Sequence, residues 1–104
     1  KVRLDFSFRV YGSPSVTSGT LFGFSIWSGD APASGGAGTG TVTYRGETAD
    51  VAVTTSSTAH YHGTFTTSAN VNDDYIFILA EHRSATGLNG TTYLYANFGV
   101  YMVD

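Results

Sequence analysis

The first eleven residues alternate between apolar and polar side chains. Val2, Leu4, Phe6, Phe8 and Val10 are separated by single polar residues. Because successive side chains of a β-strand point to opposite faces, this pattern predicts a half-buried strand over residues 1–11. A second alternating segment covers residues 21–28.

Further strands follow from the same period and from the turn residues between them. We predict strands at 41–45 and 50–55 around a turn at Gly46 and Glu47, and then at 60–67, 75–82 and 92–103. Connecting segments are expected at 28–40, which holds five glycines and should be an exposed, mobile loop, and at 70–74 and 84–91.

No segment keeps the 3.6-residue period of an amphipathic helix. The prediction is an all-β chain with no significant helix, folded as a single antiparallel β-sandwich of jelly-roll type with about seven or eight strands. We expect residues 1–104 to form one domain. Because the chain opens at Lys1 inside a strand, without an initiator methionine or a signal peptide, we expect it to be a fragment or mature portion of a larger protein.

Two of the predicted strands are apolar on both faces. Residues 75–80 are apolar or aromatic throughout, and the last strand carries aliphatic residues and Phe98 on one face and tyrosines on the other. One face of each strand in a two-sheet sandwich normally meets solvent, so the outer faces are expected to meet another subunit. The predicted interface consists of Tyr75, Phe77, Tyr93, Tyr95 and Tyr101. A covering loop, or tyrosines that tolerate partial exposure, is the alternative.

Composition narrows the class of protein. Only 12% of the residues are charged, and polarity comes from fifteen Thr, eleven Ser and thirteen Gly. This is typical of extracellular and virion-surface domains. The net charge is −3 and Lys1 is the sole lysine, which argues against a nucleic-acid partner. No apolar run approaches the ~20 residues of a membrane helix. With no cysteine to form a disulfide, oligomerisation is the expected source of extra stability.

The His60-Tyr61-His62 segment is the one candidate metal site. Residues i and i+2 of a strand share a face, so both imidazoles could contact one ion. Two ligands are too few in one chain, whereas a threefold assembly would bring six; the pattern resembles metal-binding elements of trimeric phage tail fibres. The alternative is two polar side chains on a solvated strand. No other cofactor is expected.

Catalytic patterns are weak. There is no Gly-x-Ser-x-Gly segment, and Glu81 and His82 are adjacent on a strand and therefore face opposite ways. We predict that the chain is not an enzyme. A small metalloenzyme using His60 and His62 remains a third hypothesis.

Carbohydrate binding is suggested by aromatic residues next to polar loops. Trp27 ends a predicted strand close to Asp30, and an aromatic ring stacked on a sugar with carboxylate or amide groups on its hydroxyls is the usual chemistry of such sites. Tyr61, Asn89 and Tyr93 are the other candidate ligand-binding residues. The alternative is that Trp27 packs in the core or at an interface.

The closing segment, residues 97–104, resembles the last strand of C1q/tumour-necrosis-factor-like jelly rolls, where an aromatic-Gly-hydrophobic stretch lies beside a trimer axis. The chain as a whole is similar to small head domains of phage receptor-binding proteins and tail fibres. This resemblance implies a trimeric viral structural protein, located outside the cell or on the virion, that acts in host attachment.

The leading hypothesis is therefore a non-enzymatic structural and attachment module of a viral or extracellular appendage. It is expected to oligomerise, as a trimer by preference, or to bind a neighbouring structural protein, and to bind cell-surface saccharide. A stand-alone carbohydrate-binding module is the alternative.

Overall fold

A computed structural model describes residues 1–13, 16–30, 33–34, 37–38, 42–84 and 90–104. These residues form nine strands and no helix. The described part of the chain therefore contains no helix that is long and apolar enough to cross a membrane. The strands are β1 (Val2–Ser13), β2 (Leu21–Gly29), β3 (Ala33–Ser34), β4 (Ala37–Gly38), β5 (Thr43–Glu47), β6 (Val51–Ala52), β7 (Tyr61–Thr66), β8 (Tyr75–His82) and β9 (Thr91–Met102).

Seven of these strands form two antiparallel sheets that pack face to face. In sheet A the order is β7-β1-β9. In sheet B the central strand is β2, which pairs along one edge with β8 and along the other with β5 and β6 in succession. Strands β3 and β4 pair only with each other. The predicted all-β sandwich is confirmed: its two sheets hold seven strands, and no helix occurs among the described residues.

The core lies between the even-numbered residues of β1 and β2. Phe24 is fully buried, and its ring centroid lies 5.2 Å from that of Phe6, 5.4 Å from that of Phe8 and 5.1 Å from that of Phe98. Burying the rings of Phe6, Phe8 and Phe24 stabilises the fold by about 1.5–3 kcal/mol each, whereas Phe98 at the edge of the core stays 42% exposed. The apolar faces predicted from the alternation of the first two strands are therefore the ones that meet.

Two predicted connections differ from the structure. Gly46 and Glu47 do not form a turn, because they belong to β5, which carries a bulge opposite Ile26 and Trp27 of β2. Gly46 has a φ of 137°, which a side chain would disfavour, and the Phe65 ring fills the space where its Cβ would lie. Within the predicted loop at 28–40, β3 and β4 form a short pair.

Arg83 links the segments of sheet B through ion pairs and hydrogen bonds. The side chain of Arg83 is 11% exposed and forms ion pairs with Glu81 at 2.9 Å, Glu47 at 3.0 Å and Asp50 at 3.1 Å. Burial by itself would lower the pKa of Arg83, but the hydrogen bonds to Glu81 and Asp50 outweigh it and raise that pKa. Its guanidinium also donates to the carbonyl of Phe24 at 3.1 Å.

The position of this guanidinium depends on a glycine. Arg83 lies against Gly23 of β2, in the space that a Cβ would occupy, and from there it donates to the carbonyl of Thr48. Arg83 therefore ties β2 and β8 to the segment that joins β5 to β6.

A second ionic group closes one end of sheet B. The buried hydroxyl of Ser28 donates to the carboxylate of Asp73, and Arg45 donates to that carboxylate at 2.7 Å and to Ser28 Oγ at 2.7 Å. The hydrogen bond from Ser28 and then that from Arg45 lower the pKa of Asp73 below its ordinary value.

Candidate functional site on the outer face of sheet A

The odd-numbered residues of β1 and β9 point away from the core and share one surface. The register pairs Arg3 with Tyr101, Arg9 with Tyr95, and Tyr11 with Tyr93. On the other side of β1, the register places the outward residues of β7 on the same surface. The outer face of sheet A is made of His62, Thr64 and Thr66 of β7, Arg3, Asp5, Ser7, Arg9 and Tyr11 of β1, and Tyr93, Tyr95, Asn97, Gly99 and Tyr101 of β9.

Tyrosines form one end of this face. The rings of Tyr11 and Tyr93 stack with their centroids 6.4 Å apart, and Tyr93 lies 6.4 Å from Tyr95. Each of the three is about half exposed. A tyrosine in this state offers a flat apolar surface and a hydroxyl that can donate or accept a hydrogen bond.

An arginine lies over a tyrosine at each end of the face. The guanidinium carbon of Arg9 is 4.8 Å from the ring centroid of Tyr95, and that of Arg3 is 4.6 Å from the ring centroid of Tyr101. Such contacts contribute about 0.5–1 kcal/mol at exposed positions. They position both guanidiniums on the sheet surface.

The two arginines differ in their charge partners. Arg3 Nε lies 3.2 Å from Asp5 Oδ1 without pointing its hydrogen at it, and Nη2 donates weakly to Oδ2 at 3.4 Å. Thr64 donates to the same carboxylate at 2.7 Å. Arg9 has no ion pair and no side-chain hydrogen bond within the part of the chain that the structure describes.

Three open depressions lie on this face between its side chains. The first has a volume of about 300 Å³ and lies around Arg9, and the second, of about 480 Å³, lies around Arg3 and His62. The third, of about 390 Å³, lies beside Tyr101, whose ring leans over Gly99 in the space of a Cβ. Volumes of this size are at the lower end of those of small-molecule sites.

The sequence-predicted sugar-binding residues are not brought together. Tyr93 lies on the outer face of sheet A, whereas Trp27 and Asp30 lie in and just after β2 of sheet B. Tyr61 points into the sandwich, where its ring is 5.3 Å from that of Phe8 and its hydroxyl accepts from the backbone of Thr54. Asn89 lies outside the described residues.

Trp27 is anchored by its neighbours on sheet B. Its ring meets that of Tyr44 edge to face at 5.3 Å, and its Nε1 donates to Ser25 Oγ at 2.8 Å. The hydroxyl of Tyr44 donates to Glu47, and this hydrogen bond raises the pKa of Tyr44. Trp27 is thus a partly buried member of a packed surface.

The residues predicted to form one interface are divided between the two sheets. Tyr75 and Phe77 of β8 lie opposite Gly29 and Trp27 on the outer face of sheet B. The other three are the tyrosines of β9 on sheet A: Tyr93, Tyr95 and Tyr101. These surfaces lie on opposite sides of the sandwich, so one flat partner cannot cover both.

His60 and His62 share the outer side of sheet A, as their spacing predicts, but they line different depressions. No group of three or more His, Asp or Glu residues placed to hold a metal ion occurs among the described residues. A metal bound by these histidines would need ligands from another molecule, and it remains a prediction for an oligomer.

Sequence reasoning missed the arginines and Asn97 as members of this site. The polar residues of the first strand, Arg3, Asp5, Ser7 and Arg9, were visible as one face, but nothing local showed that the tyrosines of β9 lie beside them.

Comparison with known protein families, with curated proteins and with solved structures gave no match for this chain.

Proposed function

We propose that this domain is a non-enzymatic attachment module that binds an extended saccharide along the outer face of sheet A. The observation that carries the proposal is the arrangement of half-exposed tyrosines at both ends of a flat three-stranded surface, with hydrogen-bonding side chains between them. In the context that the resemblance to phage fibre heads implies, the saccharide belongs to a host surface and the domain to an extracellular or virion appendage.

The dimensions favour an oligosaccharide over a single sugar. Residues 3 to 11 of β1 span about 27 Å at the rise of a strand, and Tyr95 and Tyr101 are about 20 Å apart along β9. Between them lie Ser7 and Asn97, whose hydroxyl and amide groups can donate and accept hydrogen bonds. A sugar chain would contact the exposed parts of these tyrosines at its ends, beside the arginines that lie over their rings, and bond through its hydroxyls in the middle.

A panel of immobilised glycans tests this proposal. We expect binding of at least one oligosaccharide, and about a tenfold loss of affinity in Tyr95→Ala and in Tyr101→Ala, since each removes a half-exposed ring and its hydroxyl. Thr55→Ala, at an exposed position between β6 and β7, is the control and should bind like the parent. Silence across the panel, or full binding by both tyrosine variants, would contradict the proposal.

A second role, in assembly, is favoured by apolar exposure on the opposite side of the sandwich. Leu79 is 50% exposed and Tyr75 is 40% exposed, and both lie with Phe77 on the outer face of sheet B. We propose that this face packs against copies of the same chain, with a trimer as the expected oligomer. A stand-alone, monomeric carbohydrate-binding module is the alternative.

Sedimentation velocity distinguishes the proposed oligomer from a stand-alone monomer. The parent should sediment as an oligomer, and Leu79→Glu should convert it to a monomer, since an unpaired buried charge at an interface is costly. Thr55→Glu, at an exposed position between β6 and β7, is the control and should not change the sedimentation. A parent that stays monomeric at high concentration would favour the stand-alone module.

A further inference from the structure

The depression around Arg9 carries an unbalanced positive charge. Its polar side chains are those of Ser7, Arg9, His60, Tyr95 and Asn97, and neither Asp nor Glu lines it. The chain as a whole has a net charge of −3, so this depression differs in the sign of its charge from the chain as a whole.

In the corresponding depression around Arg3, on the same surface, a carboxylate balances the positive charge of the arginine. This depression is lined by Arg3, Asp5, His62, Gly63 and Thr64, so the arginine and histidine are accompanied there by a carboxylate. Asp5 lies 3.2 Å from the guanidinium. Both arginines lie over a tyrosine ring, and Arg3 has a carboxylate partner that Arg9 lacks among the described residues.

Arg9 is also held in place for a ligand. The Tyr95 ring supports its guanidinium, and a guanidinium has five N–H donors in a fixed plane that matches the two oxygens of a carboxylate. Since Arg9 is exposed and no carboxylate or carbonyl of the described chain accepts from it, these donors face solvent. A carboxylate that binds here needs to displace only water.

From this geometry we infer that the depression around Arg9 binds the carboxylate of an acidic sugar residue, of the uronic or sialic type. The inference rests on the proposed saccharide binding and specifies its ligand class. The carboxylate pairs with Arg9, and the hydroxyls of the same sugar bond to Ser7 and Asn97. The volume of about 300 Å³ suits one sugar residue, and the next residues of the chain extend over the neighbouring tyrosines.

Calorimetric titration with matched acidic and neutral probes tests the inference. The first pair is trigalacturonic acid and its methyl ester; the second is sialyllactose and its methyl ester, and the two pairs distinguish the uronic from the sialic source. We expect the acid of at least one pair to bind about tenfold more tightly than its neutral partner. Nuclear magnetic resonance shifts should change most at Arg9, His60 and Asn97.

Two variants with the same change in charge locate the effect. Arg9→Gln should abolish the preference for the acid, whereas Arg3→Gln should keep it within about twofold, since Arg3 already faces Asp5. Both substitutions remove one positive charge from the same surface, so a general electrostatic attraction would affect them equally. Arg9 is exposed, and circular dichroism should show that both variants are folded.

The possible outcomes test the carboxylate site at Arg9 and the proposed saccharide binding separately. Equal loss in the two variants, or an unchanged preference in Arg9→Gln, overturns the carboxylate site. Equal binding of acid and neutral probes overturns it as well, while saccharide binding on this face stands. If neither these probes nor the glycan panel binds, the proposed saccharide function fails and the inference fails with it.

Discussion

The two outer faces of the sandwich use arginine in opposite ways. On sheet B, Arg83 is 11% exposed and is bonded to three carboxylates and two backbone carbonyls. On sheet A, Arg9 is exposed and lies over Tyr95, with no bonded partner in the described chain. The first arginine has its donors satisfied by the fold, and the second keeps them for a ligand. The same residue type therefore stabilises one face and makes the other a candidate binding surface.

The largest effect should come from removing the arginine of sheet B. Arg83→Met removes the donor to the carbonyl of Thr48 and to Glu81 Oε1. The carbonyl of Phe24 loses one of its two donors and keeps the hydrogen bond from the backbone of Thr48. We expect a loss of roughly 2–3 kcal/mol in the free energy of unfolding, which is limited by rehydration of the exposed carboxylates. Urea denaturation followed by circular dichroism measures it. A loss below about 0.5 kcal/mol would show that Arg83 is not a structural centre.

A smaller loss in the free energy of unfolding should follow when a side chain fills the space that the Arg83 guanidinium occupies. In Gly23→Ala the new methyl group occupies the position of the Arg83 guanidinium, which is bonded on several sides and cannot move without breaking contacts. The expected cost is about 1–2 kcal/mol in the same assay. The matched control is Gly99→Ala on sheet A, where the methyl group meets the exposed ring of Tyr101, which can rotate away. Equal costs at the two glycines would remove the distinction between a fixed and a movable neighbour.

The stability of the domain should depend on pH through Asp73, the carboxylate that pairs with Arg45 on sheet B. Ser28 and Arg45 lower the pKa of Asp73 below its ordinary value of 3.8. The stabilisation from the ionised carboxylate is therefore complete above the unfolded pKa and is lost as the pH falls through the lower folded pKa. Asp73→Asn should flatten this acid-side decline in unfolding midpoints measured between pH 6 and pH 2. An unchanged decline would assign it to other carboxylates.

The smallest effect is expected on the candidate binding face. Arg9→Met removes an exposed guanidinium with one ring contact, so the free energy of unfolding should change by no more than about 1 kcal/mol. The same substitution at Arg83 is the comparison, and urea denaturation of both variants under one set of conditions gives the ratio. A loss at Arg9 as large as that at Arg83 would mean that Arg9 is a structural residue.

The sequence allowed the fold class to be predicted, but only part of the candidate site. The alternation of β1 and β2 predicted their buried faces, and the tyrosine face of β9 was evident from its period of two. The turn placed at Gly46 was wrong because Gly is common both in turns and in bulges, and the pairing of β5 with β2 favoured the bulge. Tyr61 was grouped with the ligand-binding residues, yet β7 pairs with β1 in a register that turns Tyr61 toward Phe8.

The sequence by itself determined which residues share a face of each strand, because that depends only on the two-residue period of the backbone. It did not determine which strands are neighbours, since strand pairing is set by contacts between residues far apart in the chain. Only the tertiary structure placed Arg9 beside Tyr95 and His60, and Trp27 on the opposite sheet from Tyr93. The same is true of Arg83, whose partners come from three separate segments: β2, residues 47–50 and β8. The faces were therefore local properties of the chain, and the sites on them were products of the fold.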